Sequence, residues 1–445
     1  MQTPIDPAPS RPREDFVMLG YVDLDGLIRG KYVSRQKFES ICKKGGAFCS
    51  VVLGWDARDG LYENAYTGWF NGFPDDDLRV VPQSRRTLAE DGRDFHLLEF
   101  AGDGRRICAR RLAGRMIDKA AEAGFSAMAG FEYELFVFHE TPASAMAKGY
   151  RNLTPLSPTT GGYSVLRSAA NPWLFDGLMG LADTLETPLE GIHPEAGEGA
   201  MEFALAPCEA LEAADRAVVF KTFSKAWGQR SGVMLCYMAK PIAGLPGCGG
   251  HLHLSLRKAG ASAFLDPAAE DGLSMTARHF IGGQQRYMPE LLALIAPTIN
   301  SFTRLAPGYW APTAATWGFD NRTCSLRVIG DSDASLRVEY RPAAADANPY
   351  LVLAAALASG LAGVRDGIEP TAPTRDNAYA ADHPEALQFP TSLREAAARL
   401  RSSAMAREWF GDPFVEHYAA SREAEEAACR AAVSDWELHR YFEMI

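Results

Sequence analysis

Three short segments of this chain place acidic, imidazole or guanidinium side chains two residues apart, with apolar or aromatic residues between them. Side chains alternate between the two faces of a β-strand, so residues two apart point to the same face. The pattern therefore predicts a sheet with one polar, ion-binding face. The segments are residues 131–136 with Glu132 and Glu134, 250–255 with His251 and His253, and 337–341 with Glu339 between Arg337 and Arg341.

The composition excludes several classes of protein. The 445 residues carry a net charge of −11 without a basic block, so we expect no nucleic acid partner. The longest uncharged apolar run, residues 351–364, is too short to cross a bilayer, and residues 1–15 lack the apolar segment of a secretory signal. The eight cysteines form no C-x-x-C pair, which is typical of reduced thiols. These features predict a cytoplasmic protein that does not bind a membrane.

The chain divides into three parts. Residues 1–14 are polar and rich in proline, and we predict that they are disordered. Residues 15–107 read as short strands and turns, with a hairpin around residues 24–26 and an ordered loop over 54–82, and are predicted to form a small N-terminal domain. Residues 108–445 are predicted to form a large catalytic domain.

Strand and helix patterns alternate in the large domain. This order favours an α+β fold with a mostly antiparallel sheet flanked by helices. Predicted strands are 126–139, 199–206, 231–239, 249–256, 324–329 and 335–342, and predicted helices are 109–124, 171–187, 209–229, 271–295, 348–367, 392–404 and 418–430.

An oxygen-rich set of side chains predicts a site for divalent cations. Mg²⁺ and Mn²⁺ prefer such ligands, whereas a zinc cage uses more His or Cys. Carboxylates two apart on a strand reach separate members of a metal pair, so we predict two or three ions. The candidate ligands are Glu132, Glu134, Glu195, Glu202, His251 and Glu339.

A group of arginines follows in residues 300–341. Guanidinium groups bind phosphate and carboxylate oxygens bidentately, so arginines beside metal-binding acids favour phosphoryl transfer from a nucleotide. No Walker loop is present, so the nucleotide would be held in another way. The arginines are Arg304, Arg322, Arg327, Arg337 and Arg341.

Each pattern also has a structural interpretation when it is taken alone. Two glutamates on a strand are more often a solvated face, His-x-His is about as often structural as catalytic, and Arg-x-Glu-x-Arg is most often a salt-bridge ladder. Large apolar flanks around the glutamates, and Gly249 and Gly250 before the histidines, weaken these interpretations. The combination favours a catalytic site.

Together these motifs resemble the glutamine synthetase superfamily over about residues 15–445. The glutamate pair follows Gly130, and residues 193–202 resemble the family segment with two further metal-binding glutamates. Residues 247–255 resemble its Gly-rich loop followed by H-x-H-x-S, and 300–308 resemble its NSYKRLVPG. Residues 320–327 resemble its phosphate-binding stretch, and 337–350 its R-x-E-x-R and A-N-P-Y segments. The resemblance implies a glutamine synthetase-like fold with a β-grasp-like N-terminal domain.

The resemblance also implies a reaction and its cofactors. ATP phosphorylates the γ-carboxylate of L-glutamate, and a nitrogen nucleophile displaces phosphate to form a γ-amide. One metal is held by Glu134, Glu195 and Glu202, and another by Glu132, His251 and Glu339. The remaining roles implied by resemblance are catalysis by Arg341, Arg322 and Asp56, glutamate binding by Arg304, Gly247 and Arg341, and ATP binding by His253, Ser255, Arg322, Arg327 and Arg337.

The N-terminal loop with Asp56 and Asp77 resembles a family loop that enters a neighbouring subunit. The resemblance therefore implies a homo-oligomer, a ring-shaped dodecamer or hexamer with shared active sites.

The chain departs from the family pattern where ammonia binds. Ammonia-using members carry a flap glutamate in P-G-Y-E-A-P, and this chain has Trp310 there. An indole cannot accept a proton or pair with ammonium as a carboxylate does. Ala200 replaces a glutamine, and Trp55 and Trp69 lie in the altered 54–74 loop. We therefore favour an alkylamine, ethanolamine or polyamine as the nucleophile. The alternatives are an ordinary glutamine synthetase in which Trp310 packs the flap, and a silent nitrogen sensor.

Overall fold

The computed structural model describes residues 15–445, and a turn with glycine at its tip joins its first two strands. Gly26 has φ 78°, a left-handed conformation that suits glycine, and joins the first two strands as predicted. The predicted disorder of residues 1–14 lies outside the described residues. The N-terminal elements are β1 (Phe16–Val22), β2 (Ile28–Ser34), α1 (Arg35–Lys44), β3 (Gly46–Cys49), β4 (Asp75–Val80), β5 (Arg86–Thr87) and β6 (Asp94–Phe100).

The N-terminal strands form one sheet in the order β2-β1-β6-β4-β3, with β5 paired to β6. The prediction of only strands and turns here was wrong, because α1 lies in this region. The predicted loop of residues 54–82 is shorter than expected, and Asp77 belongs to β4 rather than to the loop. The three consecutive aspartates conceal this strand, because Asp has low strand propensity.

The second part of the chain forms another sheet with helices around it. Its first elements are α2 (Ala109–Glu122), β7 (Ser126–Phe138), α3 (Pro142–Ala147), α4 (Val165–Ala170), α5 (Pro172–Thr184), β8 (Leu189–Pro194), β9 (Ala200–Leu205), β10 (Cys208–Glu209), α6 (Ala210–Arg230) and β11 (Met234–Cys236). The following elements are β12 (Gly250–Lys258), β13 (Ala261–Ser262), α7 (Met275–Ile295), α8 (Ile299–Arg304), β14 (Trp317–Phe319), β15 (Leu326–Ile329) and β16 (Arg337–Tyr340). The chain then continues with α9 (Pro349–Asp366), α10 (Leu393–Ser402), α11 (Ala404–Phe410), α12 (Asp412–Ala431) and α13 (Asp435–Tyr441).

This second sheet runs in the order β14-β15-β16-β12-β7-β9-β8, and only the β14–β15 pair among these described strands is parallel. The predicted mostly antiparallel sheet of an α+β fold is confirmed. The predicted boundary near residue 107 falls between the end of β6 and the start of α2.

The predicted helices differ from the observed ones mainly at their ends. The predicted helix 392–404 is two helices, α10 and α11, because Ser403 caps the second one through its side chain. The last long helix begins at Asp412, six residues before its predicted start. The predicted strand 231–239 is paired only over Met234–Cys236. The short elements α3, α4, α8, α13, β8, β10, β13 and β14 were not predicted.

The large core lies behind the sheet. Helix α9 has its residues 349–363 buried and packs against α7, which explains its uniformly apolar sequence. Within residues 15–445 no helix is long and apolar enough to cross a membrane. All eight cysteines are free thiols.

Candidate active site

The registers of three pairs of neighbouring strands bring the residues of the first part of the site together. His251 on β12 lies opposite Glu132 on β7, and His253 lies opposite Glu339 on β16. Arg327 on β15 lies opposite Glu339. Directly opposed residues point to the same face of a sheet. The alternating patterns in the sequence therefore converge on one polar face.

The second part of the site lies toward the other edge of the same sheet. Glu134 on β7 lies opposite Glu202 on β9, and His193 on β8 lies on the other side of Glu202. Glu195 follows β8 directly, and its carboxylate accepts the backbone N–H of Ala196 at 2.9 Å.

A cavity of about 730 Å³ lies over these residues. Most of the predicted site residues line it: Glu132, Glu134, Glu195, Glu202, Gly247, His251, Arg304, Trp310, Arg322, Arg327, Glu339 and Arg341. The remaining four, His253, Ser255, Arg337 and Asp56, are not among its lining residues. Its volume lies within the range of small-molecule sites.

Glu132, His251 and Glu339 form a group with metal-ligand spacing. The Nδ1 atom of His251 is 3.7 Å from a Glu132 oxygen and 3.5 Å from a Glu339 oxygen. These distances are too long for hydrogen bonds but fit ligands of one cation, since two ligands about 2 Å from a shared ion lie about 3–4 Å apart. The buried Nε2 atom of His251 has no hydrogen-bond partner among the described residues. The oxygen-rich set fits Mg²⁺ or Mn²⁺.

The electrostatics keep both acids of this group ionised. Burial works against ionisation of Glu132, but the neighbouring imidazoles of His251 and His253 outweigh it and lower the pKa of Glu132. Burial also opposes the charge of Glu339, yet the Arg341 guanidinium and the two imidazoles lower its pKa to about 2. Two anionic carboxylates beside an imidazole form a cation-binding environment.

The second group with ligand spacing is His193, Glu195 and Glu202. The nitrogens of His193 lie 3.6 Å from an oxygen of each glutamate. The neighbouring carboxylate of Glu202 raises the pKa of His193, and burial raises the pKa of Glu195. The sequence-based set contained Glu134 instead of His193, although His193 on β8 stands only two residues before Glu195. That spacing is the signal that would have found it.

Glu134 lies between the two groups. Its carboxylate accepts the backbone N–H of Gly249 at 2.6 Å and lies 3.9 Å from His251 Nε2. Its opposition to Glu202 in the strand register is compatible with the predicted metal ligation, which stays a prediction.

Arg322, Arg327 and Arg341 line the cavity. Arg327 pairs with Glu339 at 2.9 Å and also with Asp320, and Arg341 pairs with Glu339. Arg322 is exposed, and within residues 15–445 no carboxylate lies within ion-pair distance of it. An unpaired guanidinium at the rim is available to a phosphate group.

A profile of the family described as "Glutamine synthetase, catalytic domain" matches residues 106–441. The chain belongs to the glutamine synthetase family. It is 39% identical over 442 residues to the type-1 glutamine synthetase 2 of Dictyostelium discoideum, covering 97% of this chain and 84% of the relative. It is 34% identical over 441 residues to a glutamate–isopropylamine ligase of a Pseudomonas species, covering 97% and 95%. A solved GmaS/ADP complex has a TM-score of 0.84 at 26% identity and covers 96% of this chain and 97% of that one.

Arg304, the predicted glutamate-binding arginine, is 3% exposed. Its guanidinium donates to the carbonyls of Pro342 at 3.0 Å and Arg341 at 3.3 Å. The family's Gly-rich loop packs against it. A Cβ at Gly247 would lie 2.8 Å from the Arg304 side chain, and a Cβ at Gly249 would lie 2.4 Å from His251 Nε2. Glycine at both positions therefore permits the approach of the loop to the site.

The other predicted nucleotide-binding residues lie beside the cavity. His253 Nε2 is 3.0 Å from Glu132, and Arg337 donates through Nε to His253 Nδ1 at 3.0 Å. Ser255 lies two residues farther along β12, opposite Met128. Their contact with a nucleotide stays a prediction.

The flap position of the family holds Trp310 at the cavity mouth. The indole is 58% exposed, and the residue has φ 59°, an uncommon conformation for a bulky side chain. Its carbonyl accepts a hydrogen bond from Arg341 at 3.4 Å. Lys240 stacks on the preceding Tyr309 at 3.9 Å from the ring centre. Two adjacent aromatic residues, Tyr309 and Trp310, therefore stand at the position predicted to be the flap.

The N-terminal loop does not reach the cavity of its own chain. Asp56 accepts hydrogen bonds from the N–H groups of Arg58 and Gly60 within its turn. Trp55 packs against Arg29, and Trp69 is 88% exposed. The predicted roles of Asp56 and of these two indoles depend on a second subunit.

Proposed function

We propose that this protein is an ATP-dependent ligase that joins the γ-carboxylate of L-glutamate to a small alkylamine, ethanolamine or polyamine through a γ-glutamyl phosphate. The observation that carries the proposal is Trp310 at the mouth of a cavity whose acidic, imidazole and arginine side chains match the rest of the family pattern. The name of the Pseudomonas relative, a glutamate–isopropylamine ligase, supports it.

The acidic groups would hold two or three Mg²⁺ or Mn²⁺ ions at Glu132, His251 and Glu339 and at Glu134, Glu195 and Glu202, with His193 as a further ligand. When bound, the ions would neutralise phosphate charge and orient the terminal phosphoryl group. The negative charge of Glu132 and Glu339 supports cation binding, since their lowered pKa values keep both carboxylates anionic at neutral pH.

Arginines would act on the transferred group. Arg322 and Arg327 would bind the nucleotide phosphates together with His253, Ser255 and Arg337, and Arg341 would steady the γ-carboxylate during its attack on the terminal phosphorus. The attack forms the carboxylate-oxygen-to-phosphorus bond and releases ADP. Arg304 and Gly247 would hold the glutamate, and the buried position of Arg304 supports binding of a carboxylate out of water.

The amine would enter beside Trp310. Its nitrogen attacks the acyl carbon of the γ-glutamyl phosphate, phosphate leaves, and the amine proton is lost. Ammonium is a compact cation that a carboxylate holds well, whereas an indole offers apolar surface to an alkyl group. Each buried CH₂ is worth about 0.8 kcal/mol, or about a fourfold gain in kcat/KM.

The family membership and the isolated position of Asp56 support a cytoplasmic homo-oligomer, a ring-shaped dodecamer or hexamer, in which Asp56 completes the active site of a neighbour. Analytical ultracentrifugation gives the subunit number. Mixing inactive Asp56→Ala and Arg341→Ala subunits should restore activity only if active sites are shared.

The deciding experiment measures phosphate release with ATP, L-glutamate and Mg²⁺ against ammonium, methylamine, isopropylamine, ethanolamine and putrescine. We expect at least one amine to exceed ammonium in kcat/KM. A preference for ammonium would favour the second candidate, an ordinary glutamine synthetase, which the 39% identity to the Dictyostelium protein supports. Nucleotide binding without turnover on any amine would favour a sensor.

A further inference from the structure

A cluster of charged side chains lies behind the polar face, where the proposed reaction does not use it. Lys221 and Lys225, one turn apart on α6, stack on aromatic rings of the sheet. Lys221 Nζ is 4.9 Å from the centre of Tyr133, and Lys225 Nζ is 5.4 Å from the centre of Tyr237. Tyr133 stands between Glu132 and Glu134, so its ring points away from the cavity and toward these lysines.

The two lysines differ in their hydrogen bonds to the backbone. Lys221 Nζ donates hydrogen bonds to the carbonyls of Ala345 at 2.5 Å and Ala347 at 3.2 Å. No hydrogen bond of Lys225 to this segment accompanies them in the described part of the chain. Lys221 therefore clamps the backbone on both sides of Asp346, and Lys225 provides a natural comparison.

The clamped segment supports the Gly-rich loop. Ala343 accepts the N–H of Gly250 at 2.9 Å, and the N–H of Ala345 donates to Cys248 at 3.0 Å. Cys248 and Gly250 flank Gly249, whose N–H donates to Glu134. A displacement of this segment would move the loop that faces the proposed glutamate site.

The same segment supports the helix that carries Arg304. Asp346 accepts the hydroxyl of Thr298 at 2.8 Å and that of Ser301 at 3.3 Å. These two residues form the capping box of α8, and Arg304 is the last residue of that helix. Arg304 in turn donates to the carbonyls of residues 341 and 342, immediately before the segment. The contacts therefore run from Asp346 to the start of α8, along α8 to Arg304, and from Arg304 back to the residues just before the segment.

We propose that Lys221 is a positioning residue that, through residues 343–347, fixes both the Gly-rich loop and Arg304 and thereby sets the affinity for the amino-acid substrate without touching it. The inference rests on the proposed function, because glutamate is the ligand assigned to these two parts. A lysine ammonium donates to two carbonyls at once, so an apolar side chain of similar length removes the clamp but keeps the packing.

The test compares Lys221→Met with Lys225→Met. We expect Lys221→Met to raise KM for glutamate about tenfold, because small misplacements at a binding site are costly, and to change kcat and the Kd of ADP with Mg²⁺ by less than about twofold. Lys225→Met should leave all three values within about twofold. Equal effects of the two substitutions on KM, or no effect of either, would overturn the proposal.

Two further measurements keep the outcomes distinguishable. Ser301→Ala removes one of the two hydroxyls that bind Asp346 and should raise KM for glutamate in the same direction. This variant tests the proposal if Lys221→Met does not fold. Amide hydrogen exchange needs no substrate. It should increase at residues 248–250 and 302–304 in Lys221→Met but not in Lys225→Met, and unchanged exchange there would contradict the positioning role. Wild-type protein that binds ADP but neither binds nor consumes glutamate would refute the proposed function, while the exchange result still decides the role of Lys221.

Discussion

The imidazole of His251 and the carboxylate of Glu132 face each other across the antiparallel pair of β7 and β12, with Nδ1 and Oε2 3.7 Å apart. This separation comes from the pairing of two adjacent strands rather than from a loop. The proposed metal-binding part of the site therefore depends on the pairing of strands in the sheet.

Replacing Glu132 by Gln should weaken divalent-cation binding. The substitution keeps the shape but removes one charge beside His251, which should lower Mn²⁺ affinity at least about tenfold. Titration of Mn²⁺ followed by electron paramagnetic resonance measures the free ion. Glu190→Gln, at an exposed position on β8, is the control and should bind Mn²⁺ as the wild type does. Unchanged affinity of the Glu132 variant would remove this residue from the ligand set.

Replacing Trp310 by Glu should shift nucleophile preference toward ammonium. The new carboxylate offers a partner for the ammonium cation, while apolar surface for an alkyl group is lost. We expect the ratio of kcat/KM for the best amine to that for ammonium to fall about tenfold, which corresponds to about 1.4 kcal/mol. Trp310→Phe keeps an aromatic face and should retain most of the preference. An unchanged amine profile in the Glu variant would mean that this position does not choose the nucleophile.

Replacing Gly249 by Ala should lower turnover about a hundredfold. The added Cβ would lie 2.4 Å from His251 Nε2 and 2.8 Å from Arg304 Nη2, so the loop must move away from both side chains. Displacements of this kind typically cost about a hundredfold in rate. Gly180→Ala is the control, because the Cβ added on α5 meets open space. Near-normal activity of Gly249→Ala would show that the loop approach is not needed.

His417 should make stability depend on pH. Its Nε2 lies 2.8 Å from the Leu53 carbonyl in the N-terminal part, and its buried Nδ1 has no partner among the described residues. Burial lowers the pKa of His417 from 6.5 to about 4, so the unfolded chain binds the proton more readily. The stabilisation is therefore complete above about pH 6.5 and decreases as pH falls toward 4, by about 3 kcal/mol in total.

Urea unfolding between pH 4 and 7 measures this contribution. His417→Gln should show a shallower fall in unfolding free energy at acid pH than the wild type. His439→Gln removes an exposed imidazole on α13 and should follow the wild type. Parallel pH curves for His417→Gln and the wild type would contradict the assignment.

The elements that carry chemistry were the easiest to predict from the sequence. Glu132, His251 and Glu339 lie on strands with strict alternation, and the observed registers bring them together as the pattern required. Strand alternation fixes the face of each side chain, so three separate segments point to one site. The grouping of His193 with Glu195 was not predicted, because Pro194 stands between them and obscures the end of β8 in the sequence pattern.

Loop conformation and local capping were harder to predict. Nothing in the local sequence requires Trp310 to adopt a positive φ, and its position depends on Arg341 and the surrounding flap. The separation of α10 from α11 depends on the Ser403 side chain capping a new helix. The strand β4 is formed by pairing with β3 and β6, which overrides the low strand propensity of Asp75 and its neighbours.

The division between a sheet that supplies acids and a loop that supplies Trp310 has a consequence for evolution and for enzyme engineering. Exchanging residues 305–313 between relatives leaves the pairing of the strands β1 to β16 intact, so new acceptors can be sampled without rebuilding the residues proposed to activate the acid. A library confined to that stretch would explore amide products while each variant inherits a working phosphorylation step.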